Sequence, residues 1–278
     1  ETSSALGRWV KSRWVTSVNP KSEPVSRSTG DVHRFNQGSN LDLPGINIPT
    51  RVEWLLYIGL VSVALAMRLY DLGGRAVHHD ESLHGYFAYQ LFTGGGYDHN
   101  PLMHGMFLFH SMTVSFFLFG DSEFSMRIPM ALFGAGLVLV PLILKPRIGQ
   151  VGSLAASVML AFSPSMLYYS RFARNDIFMA VFALALVGVM WRYIDERRNR
   201  WLYIGAGIIA LGFTTKETQY ILIALLISYL ITQVWREIRD WLYARKSLNE
   251  FSPSASFLVL IATLTLPLYA AGIAIFQK

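Results

Sequence analysis

Apolar runs of about membrane-crossing length recur along the chain, separated by short polar connections. They are Val52 to Tyr70, Ile128 to Leu144, Val151 to Tyr169, Ile177 to Trp191, Trp201 to Thr215, Thr218 to Trp235, and Phe257 to Phe276. A bilayer core about 30 Å thick takes about 20 apolar residues in helical form, so the pattern predicts seven transmembrane helices. An eighth run, Pro101 to Phe119, is also long enough to cross, but it carries His104, His110 and several Ser and Thr residues.

Charge decides how that eighth run is read, because Lys and Arg collect in cytoplasmic loops. If Pro101 to Phe119 lies along the interface and the N-terminal tail is inside, 17 basic residues fall on the inner side and six on the outer: Arg68, Arg75, Arg127, Arg171, Arg174 and Lys216. If the run crosses, the split becomes 11 against 12. The bias selects the interfacial placement. The fold class is then an all-α polytopic membrane helix bundle, multi-pass in the cell membrane, with about seven spans. Residues 1–51 form a polar cytoplasmic tail and residues 52–278 the transmembrane module, whose outer loop, 71–127, carries two interfacial helices. Gly134 with Gly136 and Gly205 with Gly207 read as close helix packing, and Gly94 to Gly96 as a hinge.

Composition agrees: 53% of residues are hydrophobic, 15% are charged, and mean hydropathy is +0.36. The net charge of +6 follows from the topological bias and does not imply nucleic-acid binding. There are no cysteines, which removes disulfides and thiolate metal sites. In the tail, Trp9 and Trp14 are candidate anchors on a partner subunit or at the lipid interface; alternatively the tail rests on its own cytoplasmic loops.

Three polar clusters fall on the outer side. The first is His78-His79-Asp80-Glu81-Ser82-Leu83-His84, within a loop that also holds Asp98, His99, His104 and His110. Its carboxylates would cap a helix running from Ser82 to Phe92, but the stretch carries more ionisable groups than capping requires. Histidines five residues apart do not fit the zinc-protease spacing; Asp80 or Glu81 would suit a hard divalent ion such as Mg or Mn. The second cluster is Ser170-Arg171-Phe172-Ala173-Arg174-Asn175-Asp176. Its two arginines defy the positive-inside bias and would share one face of a helix, a fork suited to phosphate. The alternative has Arg171 at the interface and Arg174 paired with Asp176. The third is Thr215-Lys216-Glu217-Thr218, so near the membrane boundary that its charges are either functional or a mutual ion pair.

Taken in order, these motifs resemble the GT-C superfamily of membrane glycosyltransferases, which includes protein O-mannosyltransferases, the aminoarabinose transferase of lipid A and oligosaccharyltransferases. His79-Asp80-Glu81 resembles the acidic motif of the first outer loop, and Gly120-Asp121-Ser122-Glu123-Phe124-Ser125-Met126-Arg127-Ile128-Pro129 the segment entering the second helix. Ser170 to Asp176 resembles the second outer loop, and Thr215-Lys216-Glu217 the lysine motif after the fifth helix. The stretch His78 to Leu91 is most similar to the branch called flippase-activity-associated proteins.

That resemblance implies transfer of a sugar from a polyprenyl-phosphate donor to an acceptor on the outer face, with the lipid tail in a groove between helices. It implies Asp80 as base and Glu81 as the residue that orients the acceptor or binds a metal. Arg171, Arg174 and Lys216 would hold the donor phosphate, with His79, His84, Asp176 and Glu217 in support. A metal, Mg or Mn, would use Asp80, Glu81 and Asp176. Two alternatives stand beside it. One is a non-catalytic subunit of the same fold that scaffolds a larger complex through the tail, suggested by a chain that ends just after its seventh helix. The other is a lipid-linked sugar flippase, which would need polar groups at mid-membrane depth that the sequence does not display.

Overall fold

The computed structural model describes residues 48–96, 104–244 and 252–276. The expected tail, with Trp9 and Trp14, lies outside them, as do Asp98 and His99. Among the described residues the regular structure is all helix, with no strand: α1 Thr50–Leu69, α2 His79–Phe92, α3 Phe107–Phe119, α4 Glu123–Leu137, α5 Pro141–Phe162, α6 Pro164–Tyr169, α7 Asp176–Glu196, α8 Asn199–Phe213, α9 Thr218–Ala244 and α10 Pro253–Phe276.

Among the described residues, five stretches are long and apolar enough to cross a membrane: Thr50–Leu69, Glu123–Phe162, Asp176–Glu196, Thr218–Trp235 and Pro253–Ala270. The 40-residue stretch contains one of the seven expected runs, Ile128 to Leu144, and most of a second, Val151 to Tyr169. It is not straight, because Gly149 has φ +73°, a left-handed conformation that glycine adopts without a steric penalty. Beyond Gly149 the second limb of α5 runs parallel to α1: Gln150 bonds Glu53 and the backbone of Ile48, Tyr57 bonds Ser153 at 2.8 Å, and Arg68 donates to the carbonyl of Ala161. At 15 residues, α8 is about 22 Å long, shorter than the hydrocarbon core. Large apolar side chains on the outer faces of the bundle, among them Trp54, Leu55, Ile58, Tyr203, Ile221 and Leu225, are exposed, as expected of helices whose solvent is lipid. The protein is a multi-pass membrane helix bundle.

Contacts between connections sort the bundle into two ends. At one, Lys145 pairs with Glu53 and Arg147 with Asp195, and the Arg147 guanidinium lies 3.7 Å from the Trp191 ring centroid. At the other, Lys216 pairs with Asp176 and the Tyr269 hydroxyl donates to the carbonyl of Tyr220. The three polar clusters all belong to this second end, called the site end below.

Helices α2 and α3 cover the site end. At 13 residues α3 is too short to cross. It packs on α2 and inserts Phe107 among Phe133 of α4 and Phe178 and Phe182 of α7, edge to face at centroid distances of 5.1–5.9 Å. This plug ties the covering helices to the bundle.

Candidate functional site

Glu81 is the hub of the site end. It is fully buried, and Arg127 of α4, 1% exposed, grips it with two parallel bonds of 2.9 and 3.0 Å. Its oxygens also accept from Arg75 and from the backbone amides of His78 and Ala173. The third Arg127 nitrogen, Nη1, donates to the carbonyls of Leu72 and Arg75. One carboxylate therefore fixes the loop after α1, the first turn of α2, α4 and the segment before α7. Burial pushes the Glu81 pKa up, but the Arg127 hydrogen bond, the two backbone amides and the Arg127 charge outweigh it and hold it below the ordinary glutamate range. Glu81 is not among the residues that line the polar cavity beside it. All the acceptor capacity it directs outward is spent on protein donors, so the expected role in orienting an acceptor or binding a metal does not fit this geometry.

Asp80, the preceding residue, faces elsewhere. It lines a polar cavity of about 210 Å³ with Leu83, His84, His104, Arg174, Asn175 and Lys216. Arg174 lies between Asp80 at 3.3 Å and Asp176 at 3.4 Å, and Lys216 meets Asp176 at 2.9 Å. These charges come from three connections: the start of α2, the turn before α7 and the link from α8 to α9. Lys216 and Glu217 do not pair with each other; Glu217 meets His104 Nδ1 at 2.7 Å.

The start of α3 is joined to the α8–α9 link by backbone bonds from Gly105 to Thr215 and from Phe107 to Thr214. A Cβ at Gly105 would collide with the Thr214 carbonyl, so only glycine allows this approach. Beside it, His104 holds φ +64°, a conformation uncommon for a residue with a side chain and one that recurs at functional sites.

His84 is 7% exposed, and its Nδ1 must donate to the carbonyl of Ala173 at 3.0 Å, because a carbonyl can only accept. Burial lowers its pKa against the opposing pull of that bond. It is thus a neutral imidazole at pH 7, with Nε2 as its bare nitrogen.

Three expectations change. The segment 170–175 is a series of turns and bends, not a helix, so Arg171 and Arg174 diverge. Arg171 donates to the carbonyls of Met67, Tyr70 and Asp71, closing the end of α1. It lines a separate pocket of about 470 Å³ with Arg75, Leu72, Pro164, Leu167 and Tyr168. His79 is exposed on the first turn of α2 and is not among the residues lining the polar cavity. Among the described residues no three His, Asp or Glu side chains gather as a metal site, and Glu81 is withdrawn from the set of Asp80, Glu81 and Asp176. Sequence reasoning did not single out Asn175 or assign a role to His104; the polarity of the two loops was the available signal.

A family described as dolichyl-phosphate-mannose-protein mannosyltransferase matches residues 101–257. That range includes His104, Arg174, Asn175, Asp176, Lys216 and Glu217, and Asp80 precedes it. A relative from Bacillus subtilis (strain 168), named "Putative mannosyltransferase YkcB", is 30% identical over 157 residues. The alignment covers 54% of this chain and 21% of the relative, so the match spans about a fifth of that protein. With the family match extending over more than half of its length, and with the fold an all-helical membrane bundle, the chain belongs to the dolichyl-phosphate-mannose-protein mannosyltransferase family.

Proposed function

We propose that the chain transfers a sugar, of which mannose is the family's example, from a polyprenyl-phosphate donor to an acceptor hydroxyl at the outer face of the cell membrane. The observation that carries this is the convergence of Asp80, Arg174 and Lys216 on one cavity. A glycosyl transfer needs a base for the acceptor proton and cations for the departing phosphate, and the cavity holds both. Arg174 and Lys216 bind the donor phosphate, and Asp176, paired with both, fixes their positions. Asp80 takes the proton as the acceptor oxygen bonds to the anomeric carbon, and the bond from that carbon to the phosphate oxygen breaks. The electron pair leaves on the phosphate, facing the two cations.

The cavity lies below the usual 300–1,000 Å³ of sites that hold a whole small molecule, which suits a sugar-phosphate headgroup and leaves the tail outside. An apolar groove of about 380 Å³ between α3 and α4, lined by Phe107, Val114, Leu118, Ile128, Leu132 and others, begins three residues from His104 and suits an isoprenoid. A hard divalent ion, Mg or Mn, would find oxygen ligands in Asp80 and Asp176 and complete its shell from phosphate and water; the steps above need only the side chains. The outward orientation of the site end rests on charge: Lys145, Arg147, Arg192, Arg197, Arg198 and Arg200 lie toward the opposite end, as cytoplasmic loops require.

The test is release of polyprenyl phosphate from sugar-labelled polyprenyl-phosphate mannose by the full chain in membranes supplied with envelope extract. Asp80→Asn should slow release about 10²–10⁴-fold while leaving donor binding intact. A wild-type protein that binds the donor and never releases the phosphate would instead be a binding or flipping module.

A further inference from the structure

Asn175 occupies the N-cap of α7, a position where an Asn side chain ordinarily accepts a bond from a first-turn amide. Here it makes no such bond. The residue is 2% exposed, and neither Oδ1 nor Nδ2 has a hydrogen-bond partner among the described residues. Buried polar groups are nearly always paired, so an orphaned amide calls for an explanation. Asn175 lines the polar cavity, between Arg174 and Asp176 in the chain. Gln219 on α9 also has both amide atoms buried and unpaired, but it abuts Gly212 and is not among the residues lining that cavity. The cavity is what gives the Asn175 amide a ligand to meet.

The chemistry of the amide limits that ligand. Whichever way it is turned, it presents one acceptor and two donors. A phosphate in its usual ionised state only accepts, and would leave Oδ1 unpaired. A carboxylate has the same shortcoming. A hydroxyl both donates and accepts, and two neighbouring ring hydroxyls can serve the two ends of the amide together. The phosphate already has Arg174 and Lys216, and the acceptor proton has Asp80. We infer that Asn175 is a specificity-determining residue that reads a hydroxyl, or a neighbouring pair, on the transferred sugar. This rests on the transferase reading and names the part of the donor that the charged groups do not recognise.

Recognition of this kind is selective, because an analogue without the hydroxyl leaves the buried amide unpaired. The experiment measures dissociation constants of the full chain in lipid nanodiscs for polyprenyl-phosphate mannose, its single-deoxy analogues and bare polyprenyl phosphate. Asn175→Ala should weaken the mannosyl lipid about tenfold or more, the equivalent of one lost hydrogen bond to a buried group, and leave polyprenyl phosphate within about twofold. One deoxy analogue should bind the wild type as weakly as the mannosyl lipid binds the variant, and should lose nothing further in the variant, the mark of a shared contact. Equal weakening of the mannosyl lipid and polyprenyl phosphate, or no weakening of either, overturns the assignment while the transferase reading stands. A wild type with no preference for the mannosyl lipid over polyprenyl phosphate overturns that reading, and the inference with it. If Asn175→Ala does not fold, the deoxy series on the wild type and on Asn175→Ser decides: every deoxy analogue binding as well as the parent overturns the inference.

Discussion

Glu81 and Asp80 are adjacent, yet the fold gives them opposite tasks, and their substitutions should separate accordingly. Removing the Glu81 charge strands Arg127, which is itself buried, and breaking a buried pair on one side costs about 3–5 kcal/mol. Glu81→Gln should therefore lower the thermal midpoint in detergent at pH 7, whereas Asp80→Asn should leave it almost unchanged. The sign of the pH effect follows from a folded pKa that is depressed. The contribution is fully present above the unfolded glutamate value of about 4.3 and is lost as pH falls through the lower folded value. An acid titration of the midpoint should decline below that value in the wild type and be flatter in Glu81→Gln; identical profiles would remove Glu81 from the hub. The two arginines of the second loop divide in the same way. Arg174→Ala should weaken polyprenyl-phosphate binding about tenfold or more. Arg171→Ala should leave it within about twofold and lower the midpoint, since its bonds go to the end of α1. Equal loss of binding in both variants would restore Arg171 to the phosphate site.

At the scale of elements, the site depends on short connections whose backbones touch. Gly105→Ala should push α3 away from Thr214 and disturb His104 and Lys216 together, at about 1–3 kcal/mol of overpacking. Gly59→Ala, on an open face of α1, is the matched control and should be neutral or slightly stabilising. Loss of transfer in the first and its retention in the second would tie activity to the α3 junction. Much of this level was legible in the sequence. The apolar runs gave the helices, and the charge bias singled out Pro101 to Phe119, whose helix α3 is not among those long enough to cross. Boundaries moved where local chemistry outweighed hydropathy: α4 begins at Glu123, five residues before its apolar run, because Ser122 and Ser125 cap it reciprocally. The run Val151 to Tyr169 divides at Ser163 because Pro164 removes a donor and begins α6. The pairing of Glu81 with Arg127, 46 positions away, was not legible. Neither was the divergence of Arg171 from Arg174, which depends on a turn that periodicity does not encode.

For the molecule as a whole, the proposed orientation can be read chemically because the sequence contains no cysteine. Single substitutions Tyr70→Cys at the site end and Arg198→Cys at the opposite end place a thiol at exposed positions. A membrane-impermeant maleimide should label the first on intact cells and the second only after permeabilisation. The reverse result would turn the site to the cytoplasm.

Asp80 and Asp176 balance Arg174 and Lys216, two charges against two, around a cavity whose buried imidazole is neutral. Such a quadrupole has little field beyond its own walls, so it attracts no charged solute from the aqueous phase and leaves little for salt to screen. A substrate arriving by free diffusion in water would gain from a long-range pull. One already confined to the bilayer searches a plane instead of a volume and needs only to be held once its headgroup slides in. The balanced cavity thus suits a ligand delivered sideways through the membrane, and the capture rate should be governed by the lipid's surface density and hardly at all by ionic strength.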